Sequence, residues 1–139
     1  TLAERYGLTL AIETEAANVI DTPEKARAIL DALGSPRVKM ILDGANLFHA
    51  GRAKPENVEG TLRHAFDLFG EDVVIAHGTD IRASEGIDFC TTGQGILDFP
   101  LMLQLLRERG DCDMILHGIE REDQMPGALA FMRGLRDAG

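Results

Sequence analysis

The chain has 139 residues, 45% hydrophobic and 27% charged, a composition typical of a single globular domain and unlike a disordered chain. Its 23 acidic and 14 basic residues give a formal charge of −9, which argues against nucleic acid or an anionic membrane as a partner. No apolar run reaches the ~20 residues of a membrane span. The two cysteines, Cys90 and Cys112, lack zinc-site spacing, so we expect free thiols in a reducing, cytoplasmic compartment.

The sequence predicts four strands, each followed by a helix, with no flexible linker between them. The strands are short apolar runs of the kind buried in a parallel sheet, at 8–12, 38–42, 73–76 and 114–116. Apolar residues recur at helical spacing in each helix. The expected core faces are Ala26, Ile29, Leu30 and Leu33; Val58, Leu62, Ala65, Phe66 and Phe69; Phe99, Met102, Leu103 and Leu106; and Met125, Leu129, Met132 and Leu135.

Repeated strand–helix units predict an α/β fold with a parallel sheet and outer helices. The first helix is expected to begin after Thr22, whose side chain can cap it, with Pro23 at its first position. The loops that follow the strands are long and polar, whereas the turns that return to the next strand are short. We therefore expect the functional site at the carboxyl ends of the strands.

Each predicted strand is followed directly by a side chain that can bind a metal or transfer a proton. These residues are Glu13, Asp43, His77 and His117, about one strand–helix unit apart. Because the carboxyl ends of neighbouring parallel strands meet at one edge of a sheet, the four side chains are expected to converge. Two carboxylates and two imidazoles suit a divalent ion of borderline hardness, such as manganese, cobalt, zinc or iron(II). For any one of these residues alone, a helix cap or a solvated turn is the simpler interpretation.

Longer segments around these positions carry a family resemblance: LAIETE at 10–15, LDGANLFHAG at 42–51, IAHGTDI at 75–81, TTGQGILDFPLMLQLLRERG at 91–110 and ILHGIEREDQMPGALAFMRGL at 115–135. Together they resemble the sugar phosphate isomerases and epimerases of the xylose-isomerase-like TIM barrels. The resemblance covers nearly the whole chain but only the second half of such a barrel. It implies that residues 1–139 form one partial domain, half of a (β/α)8 barrel. We expect the other half to come from a longer protein or from a second copy of the chain.

The resemblance also implies roles for individual residues. Glu13, Asp43 and His77 match the family's metal ligands, while His117 stands where well-studied members carry a second Glu. A histidine can still bind a metal through a neutral ring nitrogen. Glu13 is the first choice for the base that takes a carbon-bound proton.

Three further positions are expected to act around the ligands or on the substrate. Asp80 is expected to orient His77 by accepting a hydrogen bond from its ring. Asn46 takes the place of a further His found in some members, and Gln94 lies in the Gly-x-Gly loop where a Lys is common. Thr79 replaces the Lys of the family's AHAKD segment, which argues against recognition of a phosphorylated substrate.

The resemblance therefore predicts a metal-dependent isomerase or epimerase that acts on a ketose or related hydroxycarbonyl sugar through an enediolate. One alternative is a degenerate barrel that is retained for binding or assembly, and another is a metal-dependent polyol dehydratase. A DNA-repair endonuclease of the same barrel type is disfavoured by the negative charge and by Asn46.

Overall fold

A computed structural model of the protein describes residues 2–110 and 112–138. The strands are β1 (Leu10–Glu13), β2 (Val38–Asp43), β3 (Val73–His77), β4 (Asp80–Ile81), β5 (Phe89–Cys90) and β6 (Asp113–Ile115). The α-helices are α1 (Leu2–Tyr6), α2 (Pro23–Leu33), α3 (Pro55–Phe69), α4 (Phe99–Arg109) and α5 (Met125–Ala138). None of these helices combines the length and the apolar composition needed to span a membrane.

Four strands form one parallel sheet in the order β1-β2-β3-β6, so the strand order follows the chain. Helices α2, α3, α4 and α5 connect or follow these strands, which confirms the predicted half barrel. Strands β4 and β5 form a separate antiparallel pair in the long loop after β3. The sequence pattern does not reveal this pair, because each strand has only two residues.

Local sequence signals begin the helices as expected. The Thr22 hydroxyl accepts a hydrogen bond from the backbone N–H of Lys25 at 3.3 Å, and Pro23 opens α2. Asp98 caps α4 in the same way, through the backbone N–H of Leu101 at 2.9 Å. These caps satisfy N–H groups that the first turn of a helix leaves without partners.

The core lies between the sheet and the inner faces of α3 and α4. Its largest fully buried side chains include Met40 and Leu42 of β2 together with Phe66, Phe69 and Phe99. Burying each of these side chains contributes roughly 1.5–3 kcal/mol. The core therefore anchors β2, the strand that carries Asp43.

The two edges of the sheet are less buried than the sequence pattern predicted. Leu10 of β1 is 55% exposed, and Met125 and Leu129 of α5 are 51% and 38% exposed. The expectation that β1 is covered on both faces and that α5 buries both residues was wrong. Strands β1 and β6 each pair with one neighbour within the described sheet, so the elements beside them have less apolar surface to pack against.

Candidate metal centre

The carboxyl end of the sheet gathers the four residues that follow the predicted strands. Glu13, Asp43 and His77 are the last residues of β1, β2 and β3, and His117 lies two residues beyond β6. Asp43 and His77 are direct partners across the β2–β3 pair, which places them side by side. We call Glu13, Asp43, His77 and His117 the strand-end cluster.

Asp43 lies at the centre of the strand-end cluster and is fully buried. Its Oδ1 accepts a hydrogen bond from the backbone N–H of Ala45 at 2.9 Å, and its Oδ2 accepts one from the Thr79 hydroxyl at 2.6 Å. Burial raises the pKa of the Asp43 carboxyl to about 6, against the lowering effect of these two hydrogen bonds. The negative charge of Glu13 raises it further, and His77 lowers it.

Both imidazoles present Nδ1 to the same carboxylate oxygen. Asp43 Oδ2 lies 4.0 Å from Nδ1 of His77 and 3.9 Å from Nδ1 of His117. The two ring centroids are 5.1 Å apart, and the planes are inclined by 31°. These separations exceed a hydrogen bond, so neither ring uses Asp43 as a direct partner.

Glu13 reaches the strand-end cluster through His77. Its Oε1 lies 3.1 Å from Nδ1 of His77 and accepts a hydrogen bond from the Asn46 side-chain amide, also at 3.1 Å. Asn46 lies in the short 3-10 helix Ala45–Leu47, just after β2. The end of β2 and the turn after it therefore supply both Asp43 and Asn46. Asn46 therefore fixes one carboxylate oxygen of Glu13 and leaves the other oxygen for a further partner.

Asp80 does not orient His77, contrary to the sequence prediction. The carboxylate is buried and accepts four backbone N–H groups, from Ile81 and Leu97 at Oδ1 and from Gly93 and Gly95 at Oδ2, at 2.8–3.0 Å. Asp80 therefore holds the loop that precedes α4, while the His77 ring meets Glu13. The sequence could not reveal this role because the four donors lie up to 17 residues away.

The remaining polar residues near the mouth lie apart from the cluster. Gln94 is exposed, and its backbone N–H donates to the Thr91 carbonyl at 3.0 Å. His49 Nε2 donates to the Asp21 carbonyl at 2.9 Å, and His64 Nε2 pairs with Glu24 at 2.6 Å on an exposed surface. These contacts give the side chains of His49 and His64 local roles, whereas the contact of Gln94 is made by its backbone.

Thr79 is a site residue that sequence reasoning missed. It entered the sequence analysis only as a departure from the family pattern, yet its hydroxyl contacts both Asp43 and His117. The available signal was its position, two residues after His77, on the loop that leaves the carboxyl end of β3.

The model of the family described as xylose isomerase-like TIM barrel matches residues 1–135. The chain belongs to this family. Among the curated proteins, none matches the sequence.

Several solved structures resemble this fold. The IolI protein with a bound zinc atom is 24% identical with a TM-score of 0.66, over 97% of this chain and 50% of that one. A xylose isomerase domain protein from Planctomyces limnophilus is 18% identical with a TM-score of 0.73, and the match covers 98% of this chain and 49% of that one. The 3-keto-D-glucoside 4-epimerase YcjR from E. coli is 21% identical with a TM-score of 0.64, and the match covers 98% of this chain and 48% of that one. The chain thus spans about half the length of these structures.

The donor set at the mouth of this xylose isomerase-like half barrel fits a divalent cation. Asp43, His77 and His117 each offer one ligand atom, and the three atoms lie within 4.8 Å of one another. The raised pKa of Asp43 shows that burial disfavours its negative charge. A bound cation would supply the positive charge that compensates it. One carboxylate with two imidazoles suits zinc, manganese, cobalt or iron(II) better than calcium, which prefers oxygen ligands alone.

Proposed function

We propose that the protein is a metal-dependent isomerase or epimerase acting on a ketose or related hydroxycarbonyl sugar. The observation that carries this proposal is the buried Asp43 carboxylate with His77 and His117 beside it, where each of the three residues offers a ligand atom within 4.8 Å of the others. In the strand-end cluster Asp43, His77 and His117 would hold the cation. Glu13, which the resemblance also implies as a ligand, lies outside this group of ligand atoms and contacts His77.

A divalent cation, when bound, supplies the positive charge that stabilises the oxygens of an enediolate. The protein's own part is to place a base beside the carbon that loses its proton. Glu13 is the best placed carboxylate, because it lies next to the proposed ligands and is partly open to solvent. The Asn46 amide holds Oε1, which leaves Oε2 to accept the proton and return it.

The residues around the mouth and the family support the proposed substrate class. Thr79 and Gln94 are uncharged where related sequences carry lysine, so these positions offer no cation to a phosphate group. A hydroxycarbonyl sugar without a phosphate suits them better. The similarity in fold to the 3-keto-D-glucoside 4-epimerase supports a substrate with a carbonyl beside the reacting carbon.

Solvent exchange of carbon-bound hydrogen tests the proposal. The protein loaded with zinc or manganese is incubated with candidate ketoses in deuterated water, with and without a chelator. Glu13→Gln should slow deuterium incorporation by ~10²–10⁴-fold, the usual contribution of a general base. Glu15→Gln is the matched control, because Glu15 lies two residues away and bonds to Asn18. Exchange that survives the chelator, or an unchanged Glu13→Gln, contradicts the proposal.

The same experiment separates the alternatives. A polyol dehydratase would lose water after the proton transfer and give a product lighter than the substrate. A non-catalytic barrel would bind the cation weakly or not at all and would show no exchange with any hydroxycarbonyl compound.

A further inference from the structure

We propose that Thr79 is a positioning residue that fixes the tautomer of His117, keeping the hydrogen on Nδ1 and the lone pair on Nε2. The inference deepens the proposed function, since it states which atom of His117 could bind a cation or accept a proton. It rests on the contacts of a single buried hydroxyl.

Thr79 is held tightly between two strand ends. It is only 4% exposed, and its methyl group packs against Gly118, where an added Cβ would lie 2.7 Å from Thr79 Cγ2. Gly118 also has a φ of +69°, which few other residues adopt. On the other side, Gly78 donates its backbone N–H to the carbonyl of Ile115 at 2.9 Å. The hydroxyl therefore has little freedom to move away from its two partners.

Counting hydrogens sets the direction of the bonds. The Thr79 hydroxyl carries one hydrogen and lies 2.6 Å from Asp43 Oδ2, a distance typical of O–H donation to a carboxylate. Its second contact, with His117 Nδ1 at 3.1 Å, must then be one in which the oxygen accepts. The hydrogen of that bond comes from Nδ1, and a neutral ring therefore keeps its lone pair on Nε2.

Among residues 2–110 and 112–138, Thr79 is the one hydrogen-bond partner of His117 Nδ1. Asp43 Oδ2 is 3.9 Å from His117 Nδ1, which is too far for a direct hydrogen bond. The His117 side chain is 61% exposed, and its ring also contacts the His77 ring, with the centroids 5.1 Å apart. Without the hydroxyl, we expect the ring to return to the Nε2–H form that free histidine favours.

Nitrogen NMR of the metal-free protein tests this assignment directly. The spectra are recorded at about pH 8, and each tautomer of a neutral imidazole has its own pair of ¹⁵N shifts. His117 should show the Nδ1–H form in the wild type and in Thr79→Ser, and should shift towards Nε2–H in Thr79→Val. His117→Gln assigns the signal, and His49, which donates from Nε2, provides an internal reference for the opposite tautomer.

Zinc affinity, measured by competition with a chromogenic chelator, gives the second readout. Loss of the partner that orients a ligating histidine typically weakens metal binding by ~10–100-fold, and we expect this range for Thr79→Val and a small change for Thr79→Ser.

An Nε2–H signal from His117 in the wild type, or an unchanged Nδ1–H signal in Thr79→Val, overturns the inference. The wild-type spectrum needs no variant to fold and no bound metal. A protein with the Nδ1–H form that shows no exchange of substrate hydrogen would contradict the proposed function and leave the assignment of Thr79 intact.

Discussion

Two aspartates are buried at the mouth of this half barrel, and their surroundings differ. Asp80 accepts four backbone N–H groups from the loop that precedes α4, so both of its oxygens are used. Asp43 accepts one backbone N–H and one hydroxyl, and two imidazole nitrogens lie about 4 Å from its Oδ2. The pKa of Asp43 is raised to about 6 by burial.

The difference separates Asp80, whose four backbone hydrogen bonds hold a loop of the fold, from Asp43, whose carboxylate accepts only two hydrogen bonds from the described residues. A buried charge is tolerated where hydrogen bonds satisfy it, as at Asp80. At Asp43 the hydrogen bonds are fewer, and His77 and His117 lie close enough for all three residues to offer ligand atoms to one cation. Burial alone would not have distinguished the two residues.

The largest effect on stability is expected at Asp80. In Asp80→Asn an amide N–H₂ replaces an oxygen that accepts two backbone N–H groups. Because the amide nitrogen cannot accept hydrogen bonds, those two N–H groups lose their acceptor. We expect the free energy of unfolding to fall by about 2–4 kcal/mol, measured by urea denaturation. Asp88→Asn is the control, since Asp88 is exposed and pairs with Arg82 on the surface. Equal stability of wild type and Asp80→Asn would contradict a structural role for Asp80.

Substitution of Asp43 by Asn is expected to raise the free energy of unfolding, whereas Asp80→Asn lowers it. The pKa of Asp43 rises from the ordinary 3.8 to about 6, and at about 1.4 kcal/mol per pKa unit this corresponds to about 3 kcal/mol. Because the folded-state pKa is raised, the stabilising effect is complete below pH ~3.8 and is lost as the pH rises through about 6. In chelator, Asp43→Asn should therefore be more stable than wild type at pH 7, by up to about 3 kcal/mol. The two proteins should converge below pH ~4, and a variant less stable than wild type at pH 7 would contradict the destabilising burial of the charged Asp43 carboxylate.

The next largest effect on stability is expected at Gly95, in the loop that Asp80 holds. An added Cβ at Gly95 would lie 2.3 Å from Asp80 Oδ1 and from the backbone oxygen of Ile81, so the loop must shift. We expect Gly95→Ala to cost about 1–3 kcal/mol in thermal or urea unfolding. Gly60→Ala in α3, where an added Cβ meets nothing within 4 Å, should instead be neutral or stabilising.

The smallest effect concerns Asn46. Asn46→Ala removes the amide that holds Glu13 Oε1, a single hydrogen bond to a partly buried carboxylate. A loss of about 1 kcal/mol corresponds to roughly 5-fold weaker zinc binding, measured by chelator competition. Asn57→Ala removes an amide of the same kind that bonds to the Arg52 carbonyl away from the cluster. Equal losses in both variants would show that Asn46 has no specific part in the site.

The sequence predicted the strands and the residues at their ends because both depend on local pattern. A short apolar run followed by Asp43 or His77 can be read from a few neighbouring residues. The exposure of Leu10 and Leu129 could not be read, because apolar spacing does not tell which strand lies at the edge of a sheet. The partners of Asp80 and Thr79 were equally hidden, since hydrogen bonds between distant loops depend on the folded geometry.

Zinc binding to three matched proteins tests the central claim most directly: wild type, Asp43→Asn and Asp80→Asn, each dialysed against zinc and analysed for bound metal. The strand-end cluster predicts about one zinc per wild-type chain and a similar content in folded Asp80→Asn. In Asp43→Asn the affinity should fall by more than the ~100-fold that loss of an outer-shell partner costs. Equal zinc binding by wild type and Asp43→Asn, or none by wild type, would contradict a metal centre at Asp43.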